Sequence, residues 1–186
     1  MTRRALLMAP LAAAAARAQD REAELRRVAR VATVMMDGDE CKRVVTPRAL
    51  AAMFAENPKD KWAASDDYNV DAPTFIRVKK TLIRLSRLAP FPCDVNLWLP
   101  LAAKPGKVHI AIRNANELSQ FWTWGALHQD AHPAMKTVLE TGGIQAVSEK
   151  PGLTSVLAPV YDSLGAVVGL VEVVARSKPD THENVR

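Results

Sequence analysis

The chain has 186 residues and a formal charge of +5, a length that suits one domain of ordinary size with its own core. Arg3, Arg4 and Arg17 lie within the first 18 residues, which hold no acid, so removing that stretch takes the charge from +5 to +2. The remainder lacks the strongly basic balance of a nucleic-acid-binding domain.

Arg3 and Arg4 open a short positive region. Residues 5–16 follow as an apolar run broken only by Pro10, and Ala16-Arg17-Ala18 fits a small-x-small cleavage site. This is the pattern of a cleavable secretory signal peptide over residues 1–18, and it predicts a periplasmic or secreted protein beginning at Gln19. The alternative is an Ala-rich helix of a cytosolic protein. Arg17 ends the run short of the about 20 apolar residues a spanning helix needs, and no later segment is long or apolar enough, so the sequence predicts a soluble mature chain. Two arginines directly before the apolar run lack the fuller twin-arginine pattern and favour the general export route. In an oxidising compartment the pair Cys41 and Cys93 predicts a disulfide, worth about 4 kcal/mol in the chain-entropy model. The alternative is two separate buried thiols.

Residues 19–89 read as an N-terminal helical region. Leu25, Val28, Ala29, Ala32, Met35 and Met36 give residues 20–36 one apolar stripe. Asp37-Gly38-Asp39 marks a break, and Thr46 with Pro47 signals the cap and first turn of a second helix. That helix carries Leu50, Met53 and Phe54 and stops at Asn57-Pro58. A polar loop over 58–72 leads to a third helix over 73–88, with Phe75, Val78, Leu82 and Leu85 on one face. Arg77, Lys80, Arg84 and Arg87 repeat on another, a stripe that is read first as a solvated face.

From Pro92 the period changes to two. Segments 94–101 and 108–113 alternate apolar with other residues around the turn Lys104-Pro105-Gly106-Lys107, the pattern of an antiparallel hairpin. Pro100 removes a ladder donor and belongs at an edge or strand end. Asn114 or Asn116 is expected to cap a short helix through Leu118, Phe121 and Trp122 that weakens near Gly125. Another helix is expected from Pro133 to Thr141, with Gly142-Gly143 as its left-handed exit. Strands are predicted over 144–149, 153–161 and 166–176, and the apolar run of the last belongs in the middle of a sheet. A polar tail begins at Ser177.

The phrase Leu157-Ala158-Pro159-Val160-Tyr161-Asp162-Ser163-Leu164-Gly165-Ala166-Val167-Val168-Gly169-Leu170-Val171 resembles the closing hairpin of PAS-like extracytoplasmic sensor domains of the Cache type. His132 to Lys136, continuing to Glu140-Thr141-Gly142, is similar to the segment leading into their third strand. The resemblance covers 90–176 and implies an α+β fold. It consists of a five-stranded antiparallel PAS-like sheet, N-terminal helices, and a helical crossing between strands 2 and 3. It also implies recognition of a small ligand in a cleft between sheet and crossing. The chain departs from the family in showing neither a transmembrane tether nor an output module, so a sensor role would need a separate signalling partner.

Apolar walls with a few polar groups are what small-molecule sites need, and the candidate lining is Trp98, Arg113, Trp122, Trp124, His128 and Tyr161. An inward-facing Arg113 would require an anion, which a carboxylate ligand supplies. The expected function is non-catalytic recognition of a small organic acid or related metabolite, with no cofactor. The alternative is an interaction or homodimerisation module without a working pocket. His128 and His132, at i and i+4 with Asp130 between them, form the most metal-like cluster, but Pro133 makes a helix cap the simpler role. Asp67-x-Asn69-x-Asp71 opens like a calcium loop but has Ala72 and Val78 where Gly and Glu are required. No nucleophile elbow or phosphate-cradling glycine loop is present.

Overall fold

A computed structural model of the chain describes residues 8–54 and 72–177. Helices α1 (Met8–Met35), α2 (Gly38–Arg43), α3 (Pro47–Phe54) and α4 (Ala72–Ser86) precede strands β1 (Asp94–Pro100) and β2 (Lys107–Ile112). Strand β3 (Gln129–Asp130), helix α5 (Pro133–Thr141) and strands β4 (Gln145–Val147), β5 (Leu153–Tyr161) and β6 (Val167–Arg176) complete the order. The strands form one antiparallel sheet in the order β3-β2-β1-β6-β5-β4.

The local signals in the helical region mostly carry through. Leu25, Val28, Ala29, Ala32 and Met36 of the expected stripe are buried, while Met35 turns out to solvent. Asp37 ends α1 and caps α2, accepting from the amides of Asp39 and Glu40. Thr46 Oγ1 accepts from the Ala49 amide at 3.2 Å at the start of α3. Phe75, Val78, Leu82 and Leu85 of α4 are buried, and its arginines face outward, Arg77 pairing with Glu40 at 2.9 Å. The Asn57-Pro58 stop, the polar loop to residue 71 with its calcium-like spacing, and the tail beyond Ser177 lie outside the described residues. Among those residues no helix is long and apolar enough to cross a membrane.

The sheet has six strands where five were expected. The extra one is the two-residue β3, drawn onto the free edge of β2 by pairs Lys107↔Asp130 and Val108↔Gln129 and a Lys107–Asp130 ion pair of 3.0 Å. Strand β6 is central, between β1 and β5. Val95, Leu97, Leu99, Val171 and Val173 face one side and share a core with α1, α2 and α4. Trp98, Leu157 and Leu170 face the other, with Met135 and Val138 of α5.

A second difference lies between β2 and β3. The helix expected over residues 114–125 does not form, and the segment is irregular. Glu117 (φ 54) and Gly125 (φ 83) have left-handed backbones that no α-helix accommodates. The physical reason for the irregular path is competition. Amides of the segment bond to polar side chains of the sheet rather than to carbonyls one turn back. The disulfide is also absent, since Cys41 and Cys93 are both buried free thiols. Cys41 sits in α2, and Cys93 donates from Sγ to the Ser86 carbonyl at 3.2 Å.

Candidate functional site

On the face away from α1, strands β1, β5 and β6 carry a row of buried polar residues. Asp94, Asn96, Ser155 and Glu172 are each fully buried, and the strand register sets Asn96 beside Glu172 and Ser155 beside Val174. Glu172 Oε1 accepts from the Gln120 amide (2.7 Å) and Ser155 Oγ (2.9 Å). Its Oε2 accepts from Ser119 Oγ (2.7 Å), Trp98 Nε1 (3.1 Å) and Asn96 Nδ2 (3.4 Å). Burial pushes the Glu172 pKa above the ordinary carboxylate value, against hydrogen bonds from Ser119, Gln120, Ser155 and Trp98 that favour the charged form.

The same row holds the crossing segment down. Asp94 accepts from Asn116 Nδ2 (2.8 Å) and from the Leu118 amide (2.9 Å). Asn96 donates to the Leu118 carbonyl (2.7 Å) and accepts from the Asn114 amide (3.0 Å). Gln120 extends the network to the β4–β5 turn, donating to the Leu153 carbonyl (2.8 Å) and accepting from the Lys150 amide (2.7 Å). An amide–carboxylate contact buried in this way is among the stronger hydrogen bonds a protein makes.

Outside this network, between the segment and the β4–β5 turn, lies an open cleft of about 540 Å³ whose lining includes Glu117, Trp122, Trp124, Lys150, Leu153 and Arg176. Trp122 and Trp124 meet edge to face with ring centroids 5.8 Å apart. Behind Trp122, the Arg113 guanidinium stacks 4.2 Å from its ring centre and pairs with Glu117 at 3.3 Å. Lys150 Nζ donates to the Ser119 carbonyl at 3.2 Å on the opposite wall. Aromatic faces and two cationic side chains around one opening suit an anion with a flat apolar body.

The structure divides the six expected lining residues. Trp122 and Trp124 line the cleft, and Arg113 supports it from behind, its anion being the chain's own Glu117. Trp98 is core, its indole nitrogen committed to Glu172. His128 lies toward the opposite end of β2, with Nε2 3.1 Å from Lys104 Nζ. Tyr161 ends β5, and Leu153 of the cleft begins it. At about 3.3 Å per residue these two are roughly 26 Å apart along the strand.

His132 takes the cap role at α5, where Nδ1 accepts from the Ala134 amide at 3.2 Å, and its Nε2 sits 3.1 Å from Glu149. Among the described residues no group of three or more His, Cys, Asp or Glu is placed to hold a metal ion. Sequence reasoning missed the buried polar row altogether. Its signal was present in Glu172, the one acid in a strand otherwise apolar up to Arg176, and in Asp94 and Asn96, alternating with Val95 and Leu97 in a strand covered on both faces.

The geometry defines an α+β domain with a curled antiparallel sheet, a polar row on one sheet face and an aromatic, cationic cleft beyond it. No protein-family model matches the chain, and no curated protein matches it significantly.

Proposed function

We propose that the chain is an exported, non-catalytic recognition domain of PAS-like, Cache type that binds a small organic anion in the cleft beside Trp122 and Trp124. The observation that carries the reading is the composition of that cleft, with two indoles, Lys150 and Arg176 around one opening. Its position supports the PAS-like assignment. The two strands before the crossing and the three after it meet at central β6, the N-terminal helix covers one face, and the crossing covers the other. The sheet face beneath the crossing is filled by Trp98, Leu157, Leu170 and Met135, so the ligand lies outside the crossing segment rather than beneath it.

The test is a thermal-shift and calorimetric screen of small aromatic and aliphatic carboxylates against wild type, Trp124→Ala and Lys150→Ala. A true ligand at a hundredfold excess over its Kd stabilises wild type by about 2.7 kcal/mol and loses affinity in both variants. A compound that stabilises all three proteins equally does not use the cleft, and silence from every carboxylate rejects the reading.

A second reading, docking of a partner protein or a second copy, is favoured by Val34 and Met35 at the end of α1, which are 82% and 59% exposed. Sedimentation of wild type against Val34→Glu tests the second-copy form of this reading: self-association raises the sedimenting mass of wild type, and the introduced charge lowers it.

A further inference from the structure

We propose that the outer face of α4, together with the adjoining side of α1, docks on an anionic lipid bilayer. This face is independent of whatever the cleft binds, because the helices and the cleft lie on opposite sides of the sheet.

From Ala72 to Leu88 the chain carries Arg77, Lys79, Lys80, Arg84 and Arg87 and no acid. Phe75, Val78, Leu82 and Leu85 turn into the core, which fixes the other side of α4 outward. Residues 76, 80, 84, 87 and 88 recur every three or four positions and are all exposed. Lys80, Arg84 and Arg87 therefore stand in one row. Ile76 flanks it at one end and Leu88, just past the helix, at the other, 50% and 41% exposed. Arg77 is matched by Glu40 at 2.9 Å. No ion pair forms at Lys80, Arg84 or Arg87 among the described residues.

Helix α1 widens the face. Arg27 donates to the Leu88 carbonyl at 2.6 Å, at the far end of α4. Glu40, which follows the end of α1, meets Arg77 near the start of α4. The two helices thus run antiparallel, side by side on the sheet face opposite the crossing segment. Arg30 and Val34 lie about one and two turns beyond Arg27 on its side of α1, and both are exposed. They add a cation and an aliphatic side chain beside the α4 row.

Cations mixed with exposed aliphatic side chains on one helix side suit an interfacial surface. The charges meet lipid phosphates while the aliphatic groups enter the headgroup boundary. A second copy is disfavoured, since a twofold contact through this face would set Lys80, Arg84 and Arg87 against their own equivalents. An acidic protein would satisfy the cations but would also need pockets matched to Ile76, Leu88 and Val34, which are spread over two helices. A bilayer needs no such register. Each cation near an anionic surface is worth about a fivefold gain in binding, so Lys80, Arg84 and Arg87 together contribute about a hundredfold. Salt screens that contribution. Docking on this side leaves the cleft, across the sheet, facing solvent.

The experiment is sedimentation of the full chain with vesicles of mixed phosphatidylglycerol and phosphatidylcholine, and with vesicles of phosphatidylcholine alone. Wild type should bind the mixed vesicles far more tightly, and about 1 M salt should weaken that binding. The triple variant Lys80→Gln, Arg84→Gln, Arg87→Gln should lose about a hundredfold in affinity for them. The apolar run over residues 5–16 is common to both proteins and cancels in that ratio. An environment-sensitive dye on Ile76→Cys gives a second readout, because Cys41 and Cys93 are buried and leave the introduced thiol to react alone. Its emission should shift to the blue with the mixed vesicles. No binding by wild type, equal affinity in wild type and the triple variant, or a dye that stays in water overturns the proposal. Retention of wild type on poly-glutamate without binding to vesicles also overturns it, and assigns the face to an acidic protein.

Discussion

Trp98 Nε1 donates to Glu172 Oε2 at 3.1 Å across the β1–β6 pair, a diagonal contact, because the ladder sets Trp98 beside Leu170 and Asn96 beside Glu172. The indole thus has two roles on one face of the sheet, its ring meeting Phe121 edge to face at 6.3 Å and its nitrogen satisfying a buried acid. Trp98→Phe keeps an aromatic ring and removes the donor. We expect a loss of about 2 kcal/mol in urea unfolding, the range for a hydrogen bond to a buried carboxylate. A change within about 0.5 kcal/mol, typical of an uncommitted surface residue, would contradict the contact.

His109 gives the fold an acid sensitivity. Burial pushes its pKa down from 6.5 to about 4, with His128 nearby adding to the effect. A depressed imidazole is neutral in the folded chain while the unfolded chain takes up a proton, so its contribution is lost as pH falls from about 6.5 to about 4, by at most roughly 3 kcal/mol. Glu172 acts in the opposite direction, since a raised acid favours folding at lower pH. Urea unfolding of wild type and His109→Leu at several pH values isolates the histidine. The variant should lose stability less steeply below about pH 6.5, and parallel profiles would show that His109 is not the group responsible.

Both cysteine thiols are pushed up to about 12, chiefly by burial. Neither is a useful nucleophile at neutral pH. Peptide mapping without reductant should recover two free thiols that resist alkylation in the native protein and react once it is unfolded in urea. A linked Cys41–Cys93 peptide would require α2 and the start of β1 to pack differently.

Gly38 is held by close packing rather than by an unusual dihedral. A Cβ there would overlap the Tyr161 carbonyl oxygen, which is backbone and cannot swing aside. Gly38→Ala should cost about 1–3 kcal/mol by overpacking, read as a lower urea midpoint, and an unchanged midpoint would mean that α2 does not sit on the end of β5.

Trp124 is 58% exposed beside the cleft. Trp124→Ala should change stability by no more than about 0.5 kcal/mol while weakening any carboxylate found to bind wild type. A large stability loss would place the ring in the core instead.

Local signals settled most of the long elements of this protein, but not the short helix α2 or the two-residue strand β3. Thr46 marks a helix start because its side chain bonds an amide three residues on, and Asp37, read only as a break, caps α2 by the same kind of contact. Gly142 ends α5 with φ 69, and the apolar run of β6 does sit at the centre of the sheet. The caps and the left-handed exit depend only on neighbours in the chain. What tertiary structure alone decided was the fate of residues 113–128 and of the polar groups beneath them. Asn114 and Asn116 read as helix caps because such side chains bond nearby amides, but here the amides of 114–120 find Asp94, Asn96 and Glu172, which reach them from strands up to 52 residues away in sequence. The same assembly turned Trp98 into core, gave Arg113 its own Glu117 as counter-ion, and left Trp122 and Trp124 at a cleft outside the crossing. A residue's periodicity assigns it to a face of its own strand. Whether that face meets water, a ligand or a buried carboxylate depends on which distant segment covers it.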